Sequence, residues 1–224
     1  MTHTGHKEGG ISVIYRYIAI EGVIGVGKTS LAKLLAERME GRLVLEKPEE
    51  NPFLEDFYRD QNRFAFQTQI FFLLSRYQQQ VDFPQQDLFH PVIISDYLFA
   101  KDKIFAHINL SEHELLLYDR ILELMEPRIP KPDLVIYLQS NTDRLMKNIR
   151  IRSRSYEKPM SEEYIRTLNE AYNHFFFHYN DTPLLVVNAT RIDFVNNKKD
   201  FEDLIDIILR PITGISYYNP ESVS

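Results

Sequence analysis

Residues Glu21 to Ser30 read EGVIGVGKTS, and within them Gly22-Val23-Ile24-Gly25-Val26-Gly27-Lys28-Thr29 fits the pattern G-x-x-x-x-G-K-[ST]. The flanks supply the required context. An apolar run over Tyr15 to Ile20 predicts a strand, and the amphipathic period from Thr29 to Met39 predicts a helix. In such a strand-loop-helix unit the glycines let backbone N–H groups converge on phosphate oxygens, and the helix N-terminus adds partial positive charge. Lys28 can then reach the β and γ phosphates of a bound triphosphate, and the Thr29 hydroxyl can ligate Mg²⁺. The candidate nucleotide-binding set is Gly22, Val23, Ile24, Gly25, Val26, Gly27, Lys28, Thr29 and Ser30, with ATP and Mg²⁺ as the expected ligands.

Outward from this loop, short runs rich in β-branched residues alternate with longer segments of helical period, which is the pattern of an α/β protein built on a parallel sheet. Five strands are expected, near Tyr15 to Ile20, Arg42 to Glu46, Val92 to Ser95, Asp133 to Leu138 and Leu184 to Val187. Helices are expected over Thr29 to Met39, Asn62 to Gln80, Ser111 to Glu126, Thr142 to Arg152, Glu162 to Tyr179 and Lys199 to Leu209. Ser111 with Glu114 forms a capping-box signature, and Asn141 is placed to cap a helix that carries Asp143 in its first turn.

With 224 residues the chain suits one domain of ordinary size. A net charge of -6 argues against binding to a nucleic-acid polymer, whose partners usually carry a positive field. Zero cysteines excludes disulfides, thiolate zinc sites and thiol catalysis, and suits the cytoplasm. Met1 to Ser12 lacks the apolar run of a signal peptide, and no stretch approaches the roughly 20 apolar residues of a membrane span, so a soluble, cytoplasmic protein is expected.

A phosphate loop is shared by switches, motors and kinases. Asn197-Lys198-Lys199-Asp200 matches the guanine-reading N-K-x-D of GTPase switches, yet no glycine lies between Gly41 and Gly214, so the Asp-x-x-Gly that couples a switch to its γ-phosphate is missing. The segment is therefore read as a polar loop capping the last helix. Motor-type ATPases commonly follow the acid that ends a strand with a second acid, whereas PVIISD is followed by Tyr97. Asp96, at the end of that strand, is the candidate partner of Thr29 for the metal. A kinase for a small acceptor is favoured.

The acceptor is addressed by LEKPEENPFLEDFYRDQNRFAFQTQIFFLLSRYQQQ, which follows the second strand. Glu46 ends that strand, at the sheet edge where ligands bind. Gln69 and Arg76 are seven apart, about 20° from one another on a helix of 3.6 residues per turn, within a segment apolar nearly all round. A buried polar pair of this kind needs partners. These features make the chain, from about Tyr17 to Phe201, resemble the deoxynucleoside kinases, the family of deoxycytidine, deoxyguanosine and bacterial deoxyadenosine kinases.

The resemblance implies a P-loop kinase fold, a five-stranded parallel sheet flanked by helices with a short arginine-rich lid. It implies a kinase domain over residues 13–210 between a flexible N-terminal tail, 1–12, and a C-terminal tail, 211–224. Glu46 matches the family's general base for the 5′-hydroxyl, and Gln69, Arg76 and Asp102 match its nucleobase set. Tyr58 and Glu157 match residues that hold the sugar 3′-hydroxyl, and Phe105 and Tyr164 match residues close to the base. Arg150, Arg152 and Arg154 in NIRIRSRSYEK look like the lid over the phosphates, with Arg152 and Lys28 stabilising charge during transfer. The family also implies a homodimer.

Two departures stand out. Where the family has Asp/Glu-Arg-Ser, with the arginine assisting the reacting groups, this chain has Asp96-Tyr97-Leu98; Lys101 and Lys103 are the cations left nearby. Where the family's lid has Arg-Gly-Arg, this chain has Arg152-Ser153-Arg154, a stiffer turn. The rival readings are a nucleoside monophosphate kinase resembling thymidylate kinase, which the acidic neighbourhood of Glu49, Glu50 and Glu55 opposes, and a catalytically lapsed nucleotide-binding regulator. An ionised Asp102 accepts hydrogen bonds only, so in contact with the base it disfavours the O4 carbonyl of thymine. This geometry does not choose among the other bases; YEKP and LNEAYNHFFFHYN resemble the bacterial purine enzymes, which implies that purine deoxynucleosides lead, with deoxyadenosine slightly ahead of deoxyguanosine and deoxycytidine as a further candidate.

Overall fold

The strand that precedes the glycine-rich loop, β1 (Tyr17–Gly22), is buried along its whole length, as an uninterrupted apolar run in the middle of a parallel sheet requires. The structure is a computed structural model, and it describes residues 15–81, 83 and 90–220. The further strands are β2 (Arg42–Val44), β3 (Ile93–Ser95), β4 (Leu134–Gln139), β5 (Leu184–Asn188) and β6 (Ile215–Tyr218). They form one sheet in the order β2-β3-β1-β4-β5-β6 with every pair parallel. Ala19 of β1 sits opposite Ser95 on one side and Val135 on the other.

The chain leaves β1 towards the β2 edge and later crosses to β4, so β1 stands where the strand order reverses. Ligands of open parallel sheets bind beyond the strand C-termini at such a point. Gly22 is the last residue of β1.

Eight α-helices are described: α1 (Lys28–Arg38), α2 (Leu54–Arg59), α3 (Gln61–Val81), α4 (Asp102–Asn109), α5 (Glu112–Met125), α6 (Thr142–Arg152), α7 (Glu162–Phe177) and α8 (Lys198–Ile208). The Ser111–Glu114 capping box forms at α5, and the Asn141 side chain accepts the Arg144 N–H at α6. At α8, Asn197 accepts the N–H groups of Lys199 and Asp200, so the N-K-x-D segment is a helix cap. The main core covers both sheet faces, with Tyr137 stacked on Phe176 at 4.1 Å. A smaller cluster of Leu73, Phe99, Ala106, Tyr118 and Leu122 locks α3, α4 and α5 together beside it.

The sheet has six strands where five were expected. β6 falls in the segment read as a tail, and it pairs with β5 from Leu184↔Ile215 to Val187↔Tyr218. It is an edge strand with Ile215 and Tyr217 exposed, so it lacks the apolar run that marks the central strands. The expected tail over residues 1–12 lies outside the described residues. β2 also ends earlier than expected, which leaves Glu46 two residues beyond it on the loop that leads to α2.

Candidate active site

The glycine-rich loop wraps the C-terminal end of β1 and delivers the chain into α1. Gly25 and Gly27 have φ of 89° and 106°, the left-handed region that residues with a Cβ avoid. A Cβ at Gly25 would stand 2.8 Å from the Leu145 carbonyl oxygen, and one at Gly27 would stand 3.1 Å from the Phe194 ring. The backbone therefore passes where only glycine fits. Lys28 folds back over the loop, its Nζ donating to the Gly22 carbonyl at 2.6 Å. Burial pushes its ammonium down to about 8, partly offset by Glu21, and an anionic phosphate beside it would favour the charged form again.

From the loop a chain of polar contacts runs across the sheet. Thr29 Oγ1 donates to Asp96 Oδ2 at 2.6 Å, and the other oxygen of Asp96 accepts the backbone N–H of Glu46 at 2.7 Å. Burial raises the Asp96 carboxyl, against which the Thr29 hydrogen bond works. The Glu46 carboxylate is shared by two cations: Arg76 donates to Oε1 through Nε at 2.7 Å and Nη2 lies 2.6 Å from the same oxygen, while Lys101 Nζ lies 3.0 Å from Oε2. Burial alone would raise this carboxyl, but Arg76 and Lys101 outweigh it and hold it well below the usual carboxylate range.

Arg76 continues to Asp102, with which its Nη1 makes an ion pair, and Gln69 Nε2 donates to both the Asp102 carbonyl at 2.9 Å and its Oδ2 at 2.8 Å. The Tyr118 hydroxyl donates to the same Oδ2 at 3.0 Å. The two acceptors facing Nε2 fix the orientation of the Gln69 amide, so its oxygen is the end left to face outward. Asp102 is 0% exposed and does not line the cavity beside it, whereas Gln69 and Arg76 do. The expectation that Asp102 would confront the base, and so exclude thymine, therefore finds no direct contact in this arrangement. Its oxygens are engaged by Arg76, Gln69 and Tyr118, and it sets the geometry of the two residues in front of it.

The cavity holds about 430 Å³, within the range of small-molecule sites. Its wall brings together Ile24, Lys28, Thr29, Glu46, Tyr58, Gln69, Arg76, Asp96, Phe105, Arg152, Arg154, Glu157 and Tyr164. Gly22, Val23, Gly25, Val26, Gly27 and Ser30 lie outside that wall, and Arg150 is exposed on α6, facing a separate hollow. Arg152 is paired with Glu157 through two contacts, Nε to Oε2 at 3.1 Å and Nη2 to Oε1, so the lid is tied to the expected sugar site. Arg154 Nη1 donates to the Tyr156 hydroxyl at 2.6 Å. Ser153 ends α6 with φ 51° and ψ 38°, a left-handed cap that explains why a glycine is the easier residue there.

Sequence reasoning missed several contributors, three of which shape the polar network. Phe72 lines the cavity and carries the Arg76 guanidinium 4.9 Å above its ring. Tyr172, from α7, lines it too and donates to Glu21 Oε1 at 3.2 Å. Glu21, wholly buried, accepts the N–H groups of Gly22 and Leu98, both at 2.8 Å, and so joins the start of the glycine loop to the segment after β3. The sequence signal for Glu21 was its acid at the end of an otherwise apolar strand.

The family model for deoxynucleoside kinase matches residues 18–212. The chain is 36% identical over 191 residues to the deoxyguanosine kinase of Bacillus subtilis (strain 168), covering 83% of this chain and 92% of that one. It is 31% identical over 215 residues to the deoxyadenosine kinase of Lactobacillus acidophilus, covering 88% and 98%. Among solved structures, a deoxyadenosine kinase from M. mycoides with bound dATP superposes with a TM-score of 0.74 at 28% identity, over 86% of this chain and 98% of that one.

Proposed function

Because the chain belongs to the deoxynucleoside kinase family, whose members move the terminal phosphoryl group of a nucleoside triphosphate to a deoxynucleoside, we propose that it carries that group from Mg-ATP to the 5′-hydroxyl of a purine deoxynucleoside. The observation that carries this reading is one cavity in which the glycine-loop residues Lys28 and Thr29 share a wall with Glu46, Gln69 and Arg76. Lys28 and Thr29 offer groups for a triphosphate donor, and Glu46, Gln69 and Arg76 offer groups for a nucleoside acceptor.

In the proposed reaction the 5′-oxygen forms a bond to the γ-phosphorus while the bond from that phosphorus to the bridging oxygen of ADP breaks, and the hydroxyl proton passes to a Glu46 carboxylate oxygen. Glu46 held between two cations is a weak base. That suits a loose phosphoryl-transfer transition state, in which little proton movement is needed early: Glu46 first orients the hydroxyl and then takes its proton as the new bond forms. Lys28 supplies charge at the phosphates, and Arg152 and Arg154 supply it from the lid. Thr29 and Asp96 are an oxygen pair of the kind Mg²⁺ takes, and Mg²⁺ is usually held by one or two carboxylates together with substrate phosphates. When bound it neutralises developing charge on the phosphate oxygens. Tyr58 and Glu157 face the sugar, Phe105 and Tyr164 the base.

Two relatives named for deoxyguanosine and deoxyadenosine support the purine preference, while another is named for deoxyadenosine and deoxycytidine; the Gln69 oxygen, an acceptor, beside the Arg76 donors suits the amino edge of adenine, guanine or cytosine. A cytoplasmic location remains part of the proposal, and among the described residues no helix is long and apolar enough to cross a membrane. A homodimer also remains part of the proposal; Leu74 of α3 and Leu116, Leu117 and Leu124 of α5 are exposed apolar residues that a second copy could cover, and light-scattering mass checks the assembly. A coupled assay of ADP release across the four deoxynucleosides and their monophosphates tests the activity. Turnover led by deoxyadenosine or deoxyguanosine is expected. Turnover of monophosphates alone, or a clear preference for thymidine, would contradict it.

A further inference from the structure

Glu46 meets two buried cations, and only one of them stands in the family pattern. At the position of the family's arginine, Tyr97 is 0% exposed, with its hydroxyl donating to Gln79 Oε1 at 2.7 Å. It points into the core and offers the cavity no charge. Immediately after it the chain makes a single 3-10 turn, Phe99–Lys101, whose start is pinned by the Leu98 N–H bond to Glu21 at 2.8 Å. The turn brings Lys101 back to the wall of the cavity, where its Nζ lies 3.0 Å from Glu46 Oε2 and 5.9 Å from the ring centroids of both Tyr97 and Phe105. Lys103, two residues on, faces away and pairs with Glu126 at 2.9 Å.

We propose that Lys101 is the positioning residue that takes over the missing arginine's task, holding the Glu46 carboxylate and keeping positive charge beside the attacking 5′-hydroxyl. The inference rests on the deoxynucleoside kinase reading above. Lys101 transfers no proton: the hydroxyl proton goes to Glu46, and the ammonium keeps that carboxylate turned towards the substrate.

An ordinary buried ion pair is the plainer explanation, and the geometry speaks against it. Arg76 makes both of its contacts with Glu46 on Oε1, so Lys101 alone holds Oε2 and with it the orientation of the carboxylate. A second cation buried to 2% exposure is costly to desolvate, and a neutral hydrogen-bond donor would serve Oε2 as well if the contact were structural only. The ammonium also lines the cavity and lies close enough to Lys28 for the two charges to act on one another. Tyr97 replaces the guanidinium with an aromatic wall for the new cation, so the two changes read as one exchange.

The charged groups facing Glu46 are Arg76 from α3, Lys101 from the 3-10 turn, Lys28 from α1 and Asp96 from the end of β3, with the phenols of Tyr97 and Tyr172 close by. Removing Lys101 takes away the group that holds Glu46 Oε2 and leaves Arg76 on Oε1 alone. The test compares Lys101→Met and Lys101→Arg with the wild type, using deoxyadenosine and deoxyguanosine with saturating Mg-ATP. For Lys101→Met, kcat is expected to fall by about 30-fold or more, with deoxynucleoside Kd within about threefold. Lys101→Arg should recover most of the rate, a rescue that a merely structural role would not require. If thermal melting shows Lys101→Met unfolded, Lys101→Gln is read by the same criteria. A neutral variant whose kcat stays within about threefold of wild type, or a Lys101→Arg variant that recovers none of the rate, overturns the assignment. Failure of the wild type to phosphorylate any deoxynucleoside overturns instead the kinase reading beneath it.

Discussion

The proposed phosphate end and the proposed acceptor end of the cavity are made differently. The phosphate end is one continuous stretch, Gly22 to Ser30, shaped by backbone and by glycines at positions where a Cβ would collide. The acceptor end is made of side chains from distant segments, Glu46 after β2, Gln69 and Arg76 on α3, Lys101 in a turn and Asp102 at the start of α4, closed on one another by ion pairs. The loop itself carries a single cation, Lys28, and any further charge has to come from the lid arginines Arg152 and Arg154. A side-chain site shares its charge over several groups, and each group orients the next.

If that contrast is right, the largest single effect comes from the phosphate end. Lys28→Ala removes the cation nearest the loop carbonyls and should lower kcat by about 10³-fold while leaving deoxynucleoside Kd nearly unchanged, measured by steady-state kinetics and calorimetry. A parallel loss of nucleoside affinity would break the comparison, because the two ends would then act as one. A smaller effect sharpens it at the lid, where Arg152 and Glu157 bridge the two ends. Ser153→Gly relieves a left-handed residue and should stabilise the chain by about 1 kcal/mol, raising Tm by roughly 2–4 °C with kcat little changed. A lower Tm would mean that the Ser153 side chain has contacts worth more than the strain.

The same contrast explains what could be read in the sequence. The phosphate loop was legible because its residues are neighbours in the chain and its pattern carries its own mechanism. Gln69 and Arg76 were legible because seven residues bring two side chains onto one helix face. The choice between Lys101 and Lys103 was not, since residues two apart in a turn or helix face opposite ways and only the orientation of the 3-10 turn decides which one enters the cavity. The withdrawal of Asp102 behind Arg76 and Gln69 depended on Tyr118, which comes from another helix and adds a further donor to its carboxylate. β6 was missed because an exposed edge strand carries no apolar run, and its pairing with β5 is a contact across the whole of α8.

The central claim is that the acceptor end does its chemistry at Glu46, and Glu46→Gln tests it most directly. The amide keeps the shape of the side chain and an oxygen for Arg76 or Lys101, but it cannot take the hydroxyl proton. Single-turnover kinetics with Mg-ATP and a purine deoxynucleoside, beside calorimetric Kd for the same nucleoside, should show kcat reduced by about 10² or more with Kd within a few fold of wild type. A kcat within about threefold of wild type would contradict the account.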